Sequence, residues 1–303
     1  MRLAITRRLS AGQRIFIFLA ILLLPHALMA GTLNIGSTSD TPAQEIKVLL
    51  PLATYLGKEL HAEGITQGQV VVGRSLSESA MLLRNAKIDL YIDSPFPSLA
   101  VSHLSGSKLL VRRWKKGVGE YHSVIFTRKD SGIDRLEHLY QKVLGFEAPY
   151  SSSAFFLPKV VLMQKGFKLM HIDDPSSAVA HGKVGYTFTG DDENTMLWVL
   201  RGKVGAGVLD NQAYPNLAGE NLDQLHIIHR TFSMPRHIVS HRANLPPRLA
   251  TRIKDILIRM NQSAEGNKTL HDFEKTTKFD EIPEPLMAPL RQSWKLIEAD
   301  VAK

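Results

Sequence analysis

No cysteine occurs anywhere in the 303 residues. That absence excludes disulfides, thiolate metal sites, cysteine nucleophiles and a lipoprotein-type N-terminal anchor. Three arrangements that mark catalysis or nucleotide hydrolysis are missing too. There is no Gly-x-Ser-x-Gly elbow, no Gly-x-x-x-x-Gly-Lys-Ser/Thr loop and no His-Glu-x-x-His. A triad built from Ser152 and a distant histidine is the route left to a hydrolase, and nothing in the spacing asks for it. Histidine pairs occur at His226 and His229 and at His237 and His241, without a third ligand nearby in the chain. Zinc takes three or four protein ligands, so no metal site is expected, and no cofactor. No basic block with interleaved aromatics offers a nucleic-acid surface. Residues 1–30 hold four arginines and no acid, which leaves only +4 of the formal +8 for the remainder. Short-period repeats and low-complexity segments are absent.

What is present begins with a targeting segment. A basic start through Arg14 leads into the apolar run Ile15–Leu24, then Pro25 to Ala30. Ten apolar residues are too few to span a bilayer comfortably but suit a secretory h-region. Ala30 fits a cleavage junction, although Leu28 is larger than the usual residue two positions earlier. The reading is an exported body with signal peptide 1–30, and an uncleaved anchor is the alternative. With 44% hydrophobic residues, the rest is long enough for two domains with real cores.

The most informative stretch is Glu147-Ala-Pro-Tyr-Ser-Ser-Ser-Ala-Phe-Phe-Leu-Pro158. It follows a short apolar strand, Lys142–Phe146, and precedes an amphipathic helix that ends at Gly166. Three serines at a strand-to-helix junction offer hydroxyls beside amide groups that have no partner within the helix, where the helix dipole favours negative charge. Such a turn can cradle phosphate-like or carboxylate oxygens. One serine as an N-cap with two loop neighbours is the plainer reading of the same residues.

Along the chain, strands and helices alternate. Thr32–Gly36 reads as a strand, Pro42 opens a helix whose apolar stripe runs Ile46, Leu49, Leu50, Ala53, Leu56 and Leu60, and Gln69–Gly73 is the next strand. A helix capped by Ser75 or Ser77 follows, then a strand ending at Ile92 and the turn Asp93-Ser-Pro-Phe-Pro97. In open α/β sheets the ligand crevice lies off the carboxyl ends of the strands, so Asp93 and Ser94 belong to a candidate site. Capping before Pro95 is equally open to them. Ser123–Thr127 leads to a second alternating run, about Leu136 to Arg230, including the strand Val204–Leu209 that ends on Asp210. From Met234 a strand, His237–His241, and a helix after Pro246 return the chain to its first half. The expected fold is therefore α/β with two lobes, residues 31–126 plus 234–303 and residues 127–233.

Several stretches in order resemble the phosphonate/phosphite/phosphate family of periplasmic substrate-binding proteins. They include Pro51-Leu-Ala-Thr-Tyr-Leu-Gly-Lys-Glu-Leu60, Lys87-Ile-Asp-Leu-Tyr91 with Pro95-Phe96, and Tyr121-His-Ser-Val-Ile125. Further on they include Arg128-Lys-Asp-Ser-Gly-Ile133, Ser151–Pro158, Gly202–Gly207 with Asp210, and Leu245-Pro-Pro247. The resemblance implies a two-lobed, type II binding fold with two hinge crossovers and an interlobe ligand cleft. It also implies the role of solute receptor for an ABC importer, a monomer whose membrane partner is a permease. Ser151, Ser152 and Ser153 match the family's turn for phosphonate oxygens, and Asp210 matches an acid that can meet a ligand amine. The chain departs from the family pattern at Asp191-Asp192, where Ser-His often follows the Thr-Gly pair, and at Asp93, where an aromatic is usual.

Those departures bear on the ligand. Two unit charges 4 Å apart interact by about 4 kcal/mol at an effective dielectric near 20, so carboxylates beside a dianion are costly. Asp93, Asp192 and Asp210 in one cleft favour a zwitterionic, amino-bearing acid over phosphate or phosphite. Asp191 and Asp192 can instead cap the helix that follows. Arg236, at the second crossover, offers a donor to an acid group, and Tyr121 and Tyr150 offer walls. The expected binding residues are thus Ser151, Ser152, Ser153, Asp210, Asp93, Ser94, Tyr121, Asp192, Tyr150 and Arg236. Two other roles stay open from sequence: an extracytoplasmic sensor that signals to a membrane kinase, and a secreted hydrolase. A permease and an ATPase encoded alongside would favour transport.

Overall fold

The computed structural model describes residues 31–301, so the expected signal peptide and its Ala30 junction lie outside the described residues. The chain begins with β1 (Gly31–Thr38), α1 (Pro42–Glu59), β2 (Ile65–Gly73), α2 (Leu76–Arg84), β3 (Leu90–Asp93), α3 (Pro95–Ser105) and β4 (Lys108–Lys115). The helix starts have local causes. Proline stands in the first turn of α1 and of α3, where a missing N–H is harmless. Ser75 caps α2 by accepting from the Glu78 amide at 3.1 Å. α1 buries Leu49, Ala53 and Leu56 of the expected stripe together with Leu52, whereas Ile46 and Leu50 of that stripe lie exposed. It lies so close to β2 that a Cβ on Gly68 would sit 1.7 Å from the Ala53 carbonyl oxygen.

The chain then passes through β5 (Glu120–Tyr121) into β6 (Ser123–Arg128) and β7 (Val143–Phe146). A π-wound turn, Ser152–Phe156, runs straight into α4 (Leu157–Gln164). Next come β8 (Lys168–His171), β9 (Lys183–Phe188), α5 (Asp192–Leu200), β10 (Ala206–Asp210), α6 (Ala213–Ala218) and β11 (Leu225–Arg230). The return goes through β12 (Met234–Pro235) to β13 (His237–His241), α7 (Pro247–Arg259), α8 (Ala264–Asp272), β14 (Thr276–Asp280) and α9 (Glu284–Val301).

Two six-stranded sheets result, ordered β14-β4-β13-β3-β1-β2 and β11-β6-β10-β7-β9-β8. In the first, β1 is parallel to β2 and β3, while β13 enters antiparallel between β3 and β4. The two crossovers pair with each other as the small ribbon β5–β12. Two α/β lobes joined by two crossovers, with a cleft between them, is the architecture. The expected boundary at residue 126 would cut β6, but β6 pairs along its length with β10 and β11 and so belongs wholly to the second sheet. The run Val124-Ile-Phe126 is buried throughout and carries no mark of which buried sheet it joins.

One apolar cluster spans both lobes, taking in Tyr91 and Phe96 from the first and Phe146 and Phe155 from the second. Met287 and Leu290 of α9 belong to it. That helix packs on α3, α4 and β12, so it touches both lobes and one crossover.

Candidate functional site

The carboxyl ends of β1, β3, β7 and β10 meet across the cleft, where the turns that follow them carry polar side chains. α3 begins just after β3, and since Pro95 and Pro97 have no N–H, the Phe96 amide between them is the one that points at the opposing serine turn. Ser152, only 1% exposed, accepts from the Phe96 amide at 3.0 Å and donates to Ser94 Oγ at 2.8 Å. A hydroxyl from one lobe thus occupies the helix N-terminus of the other. Ser151 caps its own turn, accepting from the Ala154 amide at 3.1 Å. Ser153 is buried, and its carbonyl accepts from the Ser123 hydroxyl.

Asp93 sits at the end of β3 in a relay of hydroxyls. Its carboxyl accepts from Tyr91 at 2.8 Å and from the Ser94 amide at 2.6 Å, and Tyr91 in turn meets Thr38 at 2.8 Å. Burial nevertheless pushes this carboxyl up to about 7. Asp192 is also pushed up to about 7, by burial first and then by the charges of Glu147 and Asp210. Glu147 and Glu45 are raised as well, chiefly by burial, although Ser151 and Ser37 donate to them. Four carboxyls in one cleft are therefore reluctant to ionise.

Other charges there are matched. Asp210 accepts from Arg236 at 2.9 Å and from the amides of Gln212 and Ala213 at 2.7 and 2.8 Å. Burial opposes its charge, and Arg236 with those amides overrides it, so its pKa falls. The Arg236 guanidinium lies 4.3 Å over the Tyr121 ring, and Tyr121 is buried on the crossover ribbon. Glu274 is held by Arg113 at 3.0 Å and Lys115 at 2.7 Å. Among the described residues, Arg236 Nε and His237 Nδ1 are buried without a hydrogen-bond partner. Burial, with Lys115 and Arg113 close by, keeps His237 well below its ordinary pKa.

The structure brings nine of the ten expected residues together around the serine turn and the crossovers. The acid pair divides. Asp191 is the cap, accepting from the Asn194 amide at 2.6 Å, and Asp192 faces Glu147 and Asp210. Asp210 does not stand open to an amine, because Arg236 holds it. Tyr150 lies apart from these residues. It is 38% exposed and lines a separate cavity whose walls come from Ser75–Ser77 of the first lobe and from the second lobe. Sequence reasoning missed Glu45, Glu147, Arg113, Lys115 and Glu274. Glu147, directly after a strand and four residues before the serines, was the most findable. Arg113 and Lys115 share a face of β4 by period two, but only the sheet order brings that face to the cleft.

A family model described as the periplasmic substrate-binding protein of a phosphonate ABC transporter matches residues 35–284. The chain belongs to that family. Structures of its fold superpose on this one. XAC2383 from Xanthomonas citri, solved bound to ATP, gives a TM-score of 0.82 at 21% identity, over 89% of this chain and 99% of that one. A binding protein component of an ABC phosphonate transporter from Pseudomonas aeruginosa, PA3383, gives 0.62 at 20% identity, over 90% and 88%. PhnD1 from Prochlorococcus marinus in complex with methylphosphonate gives 0.62 at 15% identity, over 88% and 98%. At these identities the likeness is one of fold. As a phosphonate-family binding protein the chain takes a small molecule in its cleft and serves a membrane permease. Among the described residues no helix is long and apolar enough to cross a membrane.

Proposed function

We propose that this receptor captures a small amino-bearing oxyacid, with a phosphonate-like head, and closes over it about the two crossovers without chemistry. It acts as a monomer, exported by residues 1–30 and cut near Ala30, with lobes of residues 31–122 plus 234–303 and residues 123–233. The observation that carries the reading is the Ser152 hydroxyl seated on the Phe96 amide beside Ser94, ringed by carboxyls of raised pKa. An oxyanion head suits the serine hydroxyls, the Phe96 amide and the unpartnered Nε of Arg236. An ammonium group suits Asp93 and Asp192, since a cation beside a buried carboxyl restores the charge that burial suppresses. Asp210 orients Arg236, and Tyr121 walls the cleft beneath it. Simple phosphate and phosphite lack the amine and bring two negative charges toward the acids.

The test is a thermal-shift panel on the chain from residue 31 onward, using phosphate, phosphite, methylphosphonate, 2-aminoethylphosphonate, amino acids and polyamines. A ligand at a hundred times its dissociation constant stabilises by about 2.7 kcal/mol, a readable shift. Stabilisation by 2-aminoethylphosphonate above methylphosphonate, and its loss in Asp192→Asn, is the expected result. A response to phosphate or phosphite alone would overturn the amine half.

A further inference from the structure

Two consecutive residues at the second crossover each hide an unsatisfied polar atom. Among the described residues, Arg236 Nε and His237 Nδ1 are buried without a hydrogen-bond partner. The two side chains face different neighbours. Arg236 reaches Asp210 of the second lobe and lies over Tyr121, which gives its Nε to the oxyanion head. His237 opens β13 opposite Arg113 of β4, and the next residue, Ile238, stands opposite Asp93. The imidazole thus falls between the donor for the head and a carboxyl for the amine. A buried nitrogen left unpaired has given up water without return, so a partner brought by the solute counts for more here than at the surface.

The surroundings select that partner. Burial first, then Lys115, Arg113 and Arg236, hold the imidazole well below its ordinary pKa, so it is uncharged at neutral pH. The same three cations repel an ammonium group. A second acid would compete with Glu274, which already holds Arg113 at 3.0 Å and Lys115 at 2.7 Å. It would also enter a cleft where burial makes Glu45 and Asp93 reluctant to ionise. An apolar group would leave the nitrogen unpaired. A hydroxyl carries no charge and can donate or accept, so it satisfies Nδ1 in either tautomer. We propose that His237 is a specificity-determining residue, reading a hydroxyl group on the carbon chain between the oxyanion head and the amine of the solute. The role rests on the cleft taking an amino-oxyacid, as proposed, and it narrows that class to hydroxylated members.

2-Aminoethylphosphonate and 2-amino-1-hydroxyethylphosphonate differ by that oxygen alone. Calorimetric titration of the chain from residue 31 onward should give about tenfold tighter binding for one enantiomer of the hydroxylated compound. His237→Leu removes the nitrogen and should cut the advantage below about threefold. His237→Asn keeps a polar atom at the δ position and should retain most of it. A histidine with only a structural part would weaken both compounds alike in both variants. Equal affinity for the two compounds in the unaltered protein overturns the role of His237 and leaves the proposed function standing. So does an advantage that survives His237→Leu, or one lost as fully in His237→Asn. Silence of the unaltered protein toward both compounds overturns the proposed function, and the role of His237 with it.

Discussion

Ser152 concentrates the residue-scale chemistry, since one hydroxyl caps the helix of the other lobe and stands where an oxyanion would. Removing it in Ser152→Ala takes away one hydrogen bond to a charged group, worth about 1.5–3 kcal/mol. The affinity for 2-aminoethylphosphonate should therefore fall about tenfold to hundredfold in calorimetry, and the melting temperature should fall as well, because the buried Phe96 amide loses its acceptor. Asp93 and Asp192 set the pH dependence. Their folded pKa values are raised from 3.8 to about 7. A raised carboxyl means that the folded protein holds the proton more tightly than the unfolded chain. The stability this gives is full below about pH 4 and is lost as pH rises through 7. Asp210 and Glu274, whose pKa values are lowered, act oppositely and lose their contribution on acidification. The melting temperature of the ligand-free protein should fall between pH 5 and pH 8, and Asp192→Asn should flatten that slope and raise the value at pH 8. A flat profile in the unaltered protein would place both carboxyls in water. Binding an ammonium group requires both to ionise, so affinity for 2-aminoethylphosphonate should rise from pH 6 to pH 8, by about tenfold per carboxyl.

Among the elements, α1 and β2 are joined by contact that tolerates no extra atom. Gly57 and Gly68 face each other across it, and a Cβ on Gly57 would lie 2.4 Å from the Gly68 nitrogen. Backbone cannot yield as a flexible side chain does, so Gly68→Ala should destabilise by about 3 kcal/mol, at the upper end of ordinary overpacking. Chemical denaturation would read it as a shifted midpoint at unchanged slope. β14 depends on a buried cation instead. Arg113 donates to Thr276 and to the Phe273 carbonyl, pairs with Glu274 and lies 3.7 Å over the Phe273 ring. Burial draws its pKa down to about 10, which still leaves it charged at neutrality.

For the whole molecule, closing the cleft buries acids. Closure without a cation is therefore opposed at pH 8, where Asp93 and Asp192 tend to ionise, and is eased at pH 5, where they hold protons. Small-angle scattering should report a smaller radius of gyration at pH 5 than at pH 8 for the ligand-free protein. Adding 2-aminoethylphosphonate at pH 8 should bring the radius down to the pH 5 value. An unchanged radius in both experiments would mean that the crossovers do not act as a hinge. α9 shares in any such motion, because its Ser293 accepts from Gln164 of α4 at 3.3 Å while Leu290 packs in the cluster common to both lobes.

Local physics determined most of what the sequence alone could tell about this receptor. The period of apolar residues marks α1, prolines and Ser75 set helix starts, and a turn after each strand gathers Asp93, the three serines and Asp210. These features depend on neighbours along the chain, so they are legible in order. Tertiary structure decided the rest. Whether Asp191 or Asp192 faces the cleft depends on the rotation of α5 against β10. Whether Asp210 is free or held depends on Arg236, which arrives from the second crossover 26 residues later. The membership of β6 in the second sheet depends on pairing partners about 80 to 100 residues away. Charge pairing and strand pairing act through space, and a chain read one residue after another carries no record of distance.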